Sequence, residues 1–116
     1  MKVVEIKKHG GPEVLYIGSR PVPKPKKNEV LIKVKAAGVN RPDILQREGD
    51  YPPPKDESDI LGLEVSGEVV ELGEKTKNIK IGDKVCALVS GGGYSEYCLA
   101  PYSQCLPIPK NINFEE

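Results

Sequence analysis

The chain has 116 residues, enough for one domain with its own core and too few for two. Lys and Arg total 17 and Asp and Glu total 17, so no basic surplus exists to neutralise a phosphate backbone, and nucleic-acid binding is disfavoured. No apolar run approaches the ~20 residues of a membrane span, and the start MKVVEIKK lacks a signal-peptide core, so the expectation is a cytoplasmic protein with no membrane partner.

Lys2–Lys7 alternates as a first strand, with Val4 and Ile6 on one face. His9-Gly10-Gly11-Pro12-Glu13 is a turn, and Val14–Ile17 is a second strand candidate. Arg20–Lys27, RPVPKPKK, reads as an extended surface connector, because proline has no donor for the middle of a sheet. Val30, Ile32, Val34 and Ala36 then alternate with Leu31, Lys33 and Lys35, the cleanest half-buried strand in the chain. Pro42–Glu48 predicts a helix: proline suits its first turn, Asp43 the positive end of its dipole, and Gly49 a left-handed cap.

In Leu61–Leu72, Leu63, Val65 and Val69 alternate against Glu64, Ser66 and Glu68, and Gly67 predicts a bulge or a close backbone approach. Ile81-Gly82-Asp83-Lys84 is a turn into Val85–Val89, and Gly91-Gly92-Gly93 is a flexible loop before Tyr94–Leu99. Cys105–Ile108 is a last short strand. Short strands at this spacing, with few helices, predict a mainly β, barrel-like domain over residues 1–116. Asn113-Phe114-Glu115-Glu116 has the spacing of a capping box, so a helix is expected to start there and the chain to continue in a longer protein; a frayed polar tail is the other reading.

Cys86, Cys98 and Cys105 form no CxxC pair, and with His9 the single histidine they give no zinc pattern; reduced cysteines in or beside strands are expected. Gly91–Gly93 lacks GxGxxG spacing and leads toward a strand instead of a helix N-terminus. Gly62 and Gly67 have P-loop separation but are followed by Glu68-Val69 instead of Lys-Ser/Thr. The chain therefore carries no dinucleotide site of its own.

The segments GGPEVL (Gly10–Leu15), EVLIKVKAAGVNRPD (Glu29–Asp43), GDYPPP (Gly49–Pro54), ILGLEVSGEVVELG (Ile60–Gly73), IKIGDKVCAL (Ile79–Leu88) and GGGYSEY (Gly91–Tyr97) occur in an order that covers nearly the whole chain. Together they resemble the N-terminal, GroES-like domain of the zinc-free NAD(P)H:quinone oxidoreductases of the medium-chain dehydrogenase/reductase superfamily. The resemblance implies a GroES-like, partly open β-barrel with one or two short helices. It also implies a Rossmann cofactor domain after residue 116, where this chain stops. The implied activity is hydride transfer from NADPH to a quinone or enone, with this chain inactive alone. By the same resemblance the chain by itself would be monomeric and the full-length protein a homodimer. The contrasting expectation is a free-standing, non-catalytic GroES-like module or the product of a truncated gene.

Zinc-dependent relatives have Cys at the position of Asn40 and GHE where this chain has Gly62-Leu63-Glu64. Leucine cannot ligate a metal and a neutral amide ligates zinc poorly, so no metal site is expected. The resemblance places Asn40 and Tyr51 on the nicotinamide and substrate cleft, Asn40 toward the cofactor and Tyr51 toward acceptor and cofactor. Without it, Asn40 is equally a cap for the helix at Pro42 and Tyr51 a packing partner of the prolines. Asp43 is a weaker cofactor-binding candidate, since helix stabilisation explains it as well. Leu45 stands where some relatives have a second cleft tyrosine, and Glu64 reads either as an acid near the lost metal position or as a solvated strand residue.

Overall fold

The computed structural model describes residues 1–49 and 58–115. In chain order the strands are β1 Lys2–Ile6, β2 Leu15–Ser19 and β3 Glu29–Ala37, followed by the helix α1 Arg41–Glu48. Then come β4 Glu64–Leu72, β5 Lys84–Leu88, β6 Tyr97–Pro101 and β7 Cys105–Pro107. Single 3-10 turns at Pro12–Val14 and Tyr102–Gln104 lead into β2 and β7. The described residues are thus mainly β with one α-helix.

The long strands β3 and β4 pair antiparallel inside a five-stranded sheet of order β6-β3-β4-β5-β7. β1 and β2 form a separate hairpin. Its link to the larger sheet runs just ahead of β6: Val4 N–H donates to the Tyr94 carbonyl at 2.8 Å, and Glu96 N–H to the Lys2 carbonyl at 3.0 Å. Both sheets remain open and do not close into a barrel, in keeping with a GroES-like fold.

Val30, Ile32, Val65, Val69, Val85, Ala87, Cys98 and Ala100 form one buried cluster. Each large aliphatic side chain there contributes about 1.5–3 kcal/mol of burial. Three strand expectations change. On β1 it is Val3, at 2% exposure, that enters the core, because the contacts to residues 94–96 close over it; Val4 and Ile6 are only half-buried. On β3, Leu31 is buried along with Val30 and Ile32, so both faces are covered at its start. On β4, Ser66 is buried beside Val65, its hydroxyl donating to the Phe114 carbonyl as the last described segment folds back over that face.

The pairing of β3 with β4 slips between Leu31 and Ile32 and again between Val34 and Ala36. Gly67 sits at the second slip, where a Cβ would lie 2.1 Å from the Lys33 carbonyl oxygen. This is the close backbone approach that a glycine inside a strand signals. Gly91–Gly93 is not the flexible loop expected from three glycines. Gly92 N–H donates to Ile60 O at 2.9 Å and Gly93 N–H to Gly62 O at 3.0 Å, and Tyr94 N–H reaches Leu61 O at 2.9 Å. The glycines are there because two backbones touch: a Cβ on Gly62, whose φ is +104°, would lie 2.6 Å from Tyr94 N.

Candidate functional site

The end of β3 and the start of β4 bring the sequence-predicted polar residues together. Beyond Ala37, Gly38 donates its N–H to Glu64 O at 3.0 Å, which fixes the turn leading to Asn40. Asn40 has extended backbone angles and is the N-cap of α1, which begins at Arg41, one residue before the expected Pro42. Asp43, at the third helical position, accepts the Asn40 backbone N–H at 3.0 Å through Oδ2. This half of a capping box satisfies a donor that the helix leaves open. At the other end Gly49 has φ +95°, the left-handed cap expected of it.

The Asn40 side chain extends to Glu64, with Nδ2 3.5 Å from Oε2. Glu64 is exposed on β4, and its carboxylate faces a cleft of about 310 Å³ shared with Gly38 and Phe114. Among the described residues, no three His, Cys, Asp or Glu side chains cluster as a metal would require. The positive end of α1 is also unsuited to an anion, since the Asp43 carboxylate occupies it and Pro42 removes one of its donors.

Tyr94 is a site residue that the sequence did not reveal. Its hydroxyl lies 2.7 Å from Asp43 Oδ2 and 3.3 Å from the Gly38 carbonyl oxygen. Burial first, and the Asp43 carboxylate next, hold its phenol well above the usual tyrosine range. The only cue in the sequence was a tyrosine following three glycines, a context that reads as loop. Tyr51 lies outside the described residues. Leu45 is half-buried on α1, and His9 is exposed against Gly49 at the helix end. A larger groove of about 710 Å³, bordered by Arg20, Val22 and Leu88, holds none of Asn40, Asp43 or Glu64. The Cys98 thiol on its wall is 2% exposed, and burial pushes its pKa up to about 12, so it is inert. The cysteines are free, Cys86 and Cys98 within strands and Cys105 at the start of one, as expected.

Residues 26–110 match the alcohol dehydrogenase GroES-like domain family. The mouse quinone oxidoreductase is 36% identical over 118 residues, covering all of this chain and 36% of its own length. The trans-enoyl reductase tndF of Aspergillus flavipes is 37% identical over 117 residues, covering 92% of this chain and 33% of its own. Among solved structures, the Escherichia coli quinone oxidoreductase complexed with NADPH superposes with a TM-score of 0.90 at 36% identity, over 99% of this chain and 35% of that one. The chain thus spans about a third of the length of each of these relatives. It belongs to the alcohol dehydrogenase GroES-like domain family and, within it, is similar over its whole length to the quinone oxidoreductases.

Proposed function

We propose that this chain is the substrate-side domain of an NADPH-dependent quinone oxidoreductase, which reduces a quinone or enone by hydride transfer without zinc. The observation that carries this is the Asn40–Glu64 pair beside Leu63, in a chain similar throughout to quinone oxidoreductases. One amide, one leucine and one carboxylate are a poor donor set for zinc. A quinone is electron-poor enough to accept hydride without the Lewis acid that alcohol oxidation needs.

The residues suit the cofactor at its uncharged end only. Asn40 offers an amide to a carboxamide or a ribose hydroxyl, whereas the acid and proline at the start of α1 leave no seat for a pyrophosphate. NADPH supplies the hydride when bound. Its phosphates are assigned to a second, Rossmann-type domain, which relatives about three times as long have room for. Tyr51 is the proposed donor to the acceptor's oxygen, and Asp43 the weaker contact to the cofactor. No described helix is long and apolar enough to cross a membrane.

Grafting residues 1–116 in place of the matching segment of the Escherichia coli enzyme tests the proposal. The expected chimera oxidises NADPH with a quinone and keeps its rate in the presence of a zinc chelator. A folded chimera without turnover, or one that the chelator silences, contradicts it. The 116-residue chain alone is expected to show no steady-state NADPH oxidation.

A further inference from the structure

The cavity of about 710 Å³, which borders none of Asn40, Asp43 and Glu64, lies in line with β1. That strand is flanked by β2 on one side and by residues 94–96 on the other. At its start the Met1 amine donates to the Arg20 carbonyl at 2.7 Å, and the Arg20 N–H donates to the Met1 carbonyl at 3.0 Å. Past this point both flanks continue, one as the connector that begins Arg20-Pro21-Val22-Pro23 and the other as β6, and both border the cavity. β6 does so from Tyr97 to Pro101, a run of roughly 17 Å at about 3.3 Å per residue.

β6 is an end strand of the five-stranded sheet, with β3 on its inner side. Val34 N–H donates to the Glu96 carbonyl at 2.9 Å and Tyr102 N–H to the Asn28 carbonyl at 2.9 Å, which fixes the alternation of the ladder between them. Cys98 and Ala100 therefore turn their backbone groups to β3, and Tyr97 and Leu99 turn theirs outward. Neither outward N–H meets an acceptor among the described residues. Such an edge is a template for another strand.

The rest of the lining says what kind of strand fits. Val22 and Leu88 border the cavity at 44% and 62% exposure, so apolar surface lies uncovered beside the free edge. Arg20 and Lys26 border it too, with Glu29 as the acid among the described lining residues; Glu29 Oε1 accepts the Lys26 backbone N–H at 2.9 Å. From Arg20 to Lys27 the connector carries four cations and no acid. Arg20 is paired with Glu5 and Asp59, whereas the Lys26 ammonium has no ion pair among the described residues. The bank opposite β6 is thus positive.

We propose that β6 and the connector form a docking slot for an extended acidic peptide, which joins the sheet as a sixth strand, antiparallel to β6 and in line with β1. Its carbonyls accept from the Tyr97 and Leu99 N–H groups, its apolar side chains cover Val22 and Leu88, and its carboxylates answer Lys26. Main-chain bonds supply the affinity of such an added strand, and alternate side chains its specificity. The slot is separate from the candidate site, so this interaction goes beyond the functional proposal and does not depend on it.

The test uses the 116-residue chain and a capped hexapeptide alternating valine and glutamate, with binding followed by amide NMR. The Tyr97 and Leu99 amides should shift and gain protection from hydrogen exchange, while those of Asn40 and Asp43 stay in place. Lys26→Gln should weaken binding about two- to five-fold, as for an exposed ion pair, and Lys80→Gln, outside the slot, should leave it unchanged. Added salt should weaken it as well.

Two further peptides probe the mode of binding without any change to the protein. Methylating every peptide nitrogen removes the donors of an added strand and should abolish the shifts, and replacing glutamate with lysine should weaken binding about ten-fold or more. Unmoved Tyr97 and Leu99 amides up to millimolar peptide, or equal binding of the methylated or the lysine peptide, overturns the proposal. It is also overturned if those two amides are already protected in the free chain and sedimentation shows a concentration-dependent dimer, because the edge then belongs to a second copy.

Discussion

Gly62 and Gly82 both have positive φ, at +104° and +96°, yet they are constrained differently. A Cβ at Gly62 meets the Gly93 and Tyr94 backbones within 2.6–2.8 Å, whereas a Cβ at Gly82 meets nothing within 4 Å. Gly82→Ala therefore carries only backbone strain, about 1–2 kcal/mol. Gly62→Ala adds a clash that neither backbone can relieve, and a loss of about 3 kcal/mol or more is expected. Urea denaturation of the two variants checks the ordering, and equal losses contradict the backbone contact. Asn40 belongs to the same scale but to chemistry. Asn40 is the N-cap of α1, so Asn40→Ala should cost about 0.5–2 kcal/mol of stability and lower kcat/KM of the chimera about ten-fold. Measuring the melting temperature alongside the kinetics separates the two effects.

At the level of elements, the C-terminal end of α1 is tied to the hairpin's turn and to the segment before β4. Arg20 bonds Glu5 on β1 at 2.5 Å and Asp59 at 2.7 Å. Gln46 of α1 donates to the Asp59 carbonyl at 3.1 Å, and Gly10 N–H donates to the Arg47 carbonyl at 2.9 Å. The Arg20 hydrogen bond holds the Asp59 carboxyl below the usual carboxylate range. A folded-state value below the unfolded one means a contribution that is present above pH ~4 and lost as the pH falls through the folded value. With the Asp59 side chain 67% exposed, solvent screening limits the pair to about 0.5 kcal/mol. Asp59→Asn should show that deficit in urea melts at pH 7 and lose it near pH 3; a deficit that persists in acid assigns it to something other than the charge.

The helix was legible at this scale because its signals are local: proline in the first turn, Asp43 near its start and Gly49 past its end lie within one short segment. The lock of Gly91–Gly93 on residues 58–62 was not, since its partners lie about 30 residues away and glycine alone does not distinguish freedom from close contact. Tyr94 was missed for the same reason. Its importance depends on Asp43, which no periodicity in either segment reports.

Across the whole molecule, alternation in β3 and β4 correctly placed Val30, Ile32, Val65 and Val69 in the core. It failed at Leu31 and Ser66, where a second layer covers the other face, and a period of two describes only a sheet with one face in water. Ile32 is fully buried at the centre of the cluster, between β4 and β6. Ile32→Ala should cost about 2–5 kcal/mol, and Ile32→Val about 0.5–1.5, by the transfer and cavity terms. Calorimetry of the pair tests whether the described sheet forms one cooperative core, in which case both variants melt in a single transition.

The hairpin's attachment through residues 94–96 also has a consequence in time. Val3 is covered only once those residues are in place, although it lies far ahead of them in the chain. Until then the β1–β2 ribbon has no neighbour from the larger sheet, and an isolated two-stranded hairpin is marginal in water. Closing so long a loop is slow compared with forming the turn at Pro12–Val14. During synthesis, the first strand of this domain is thus among the last to be secured.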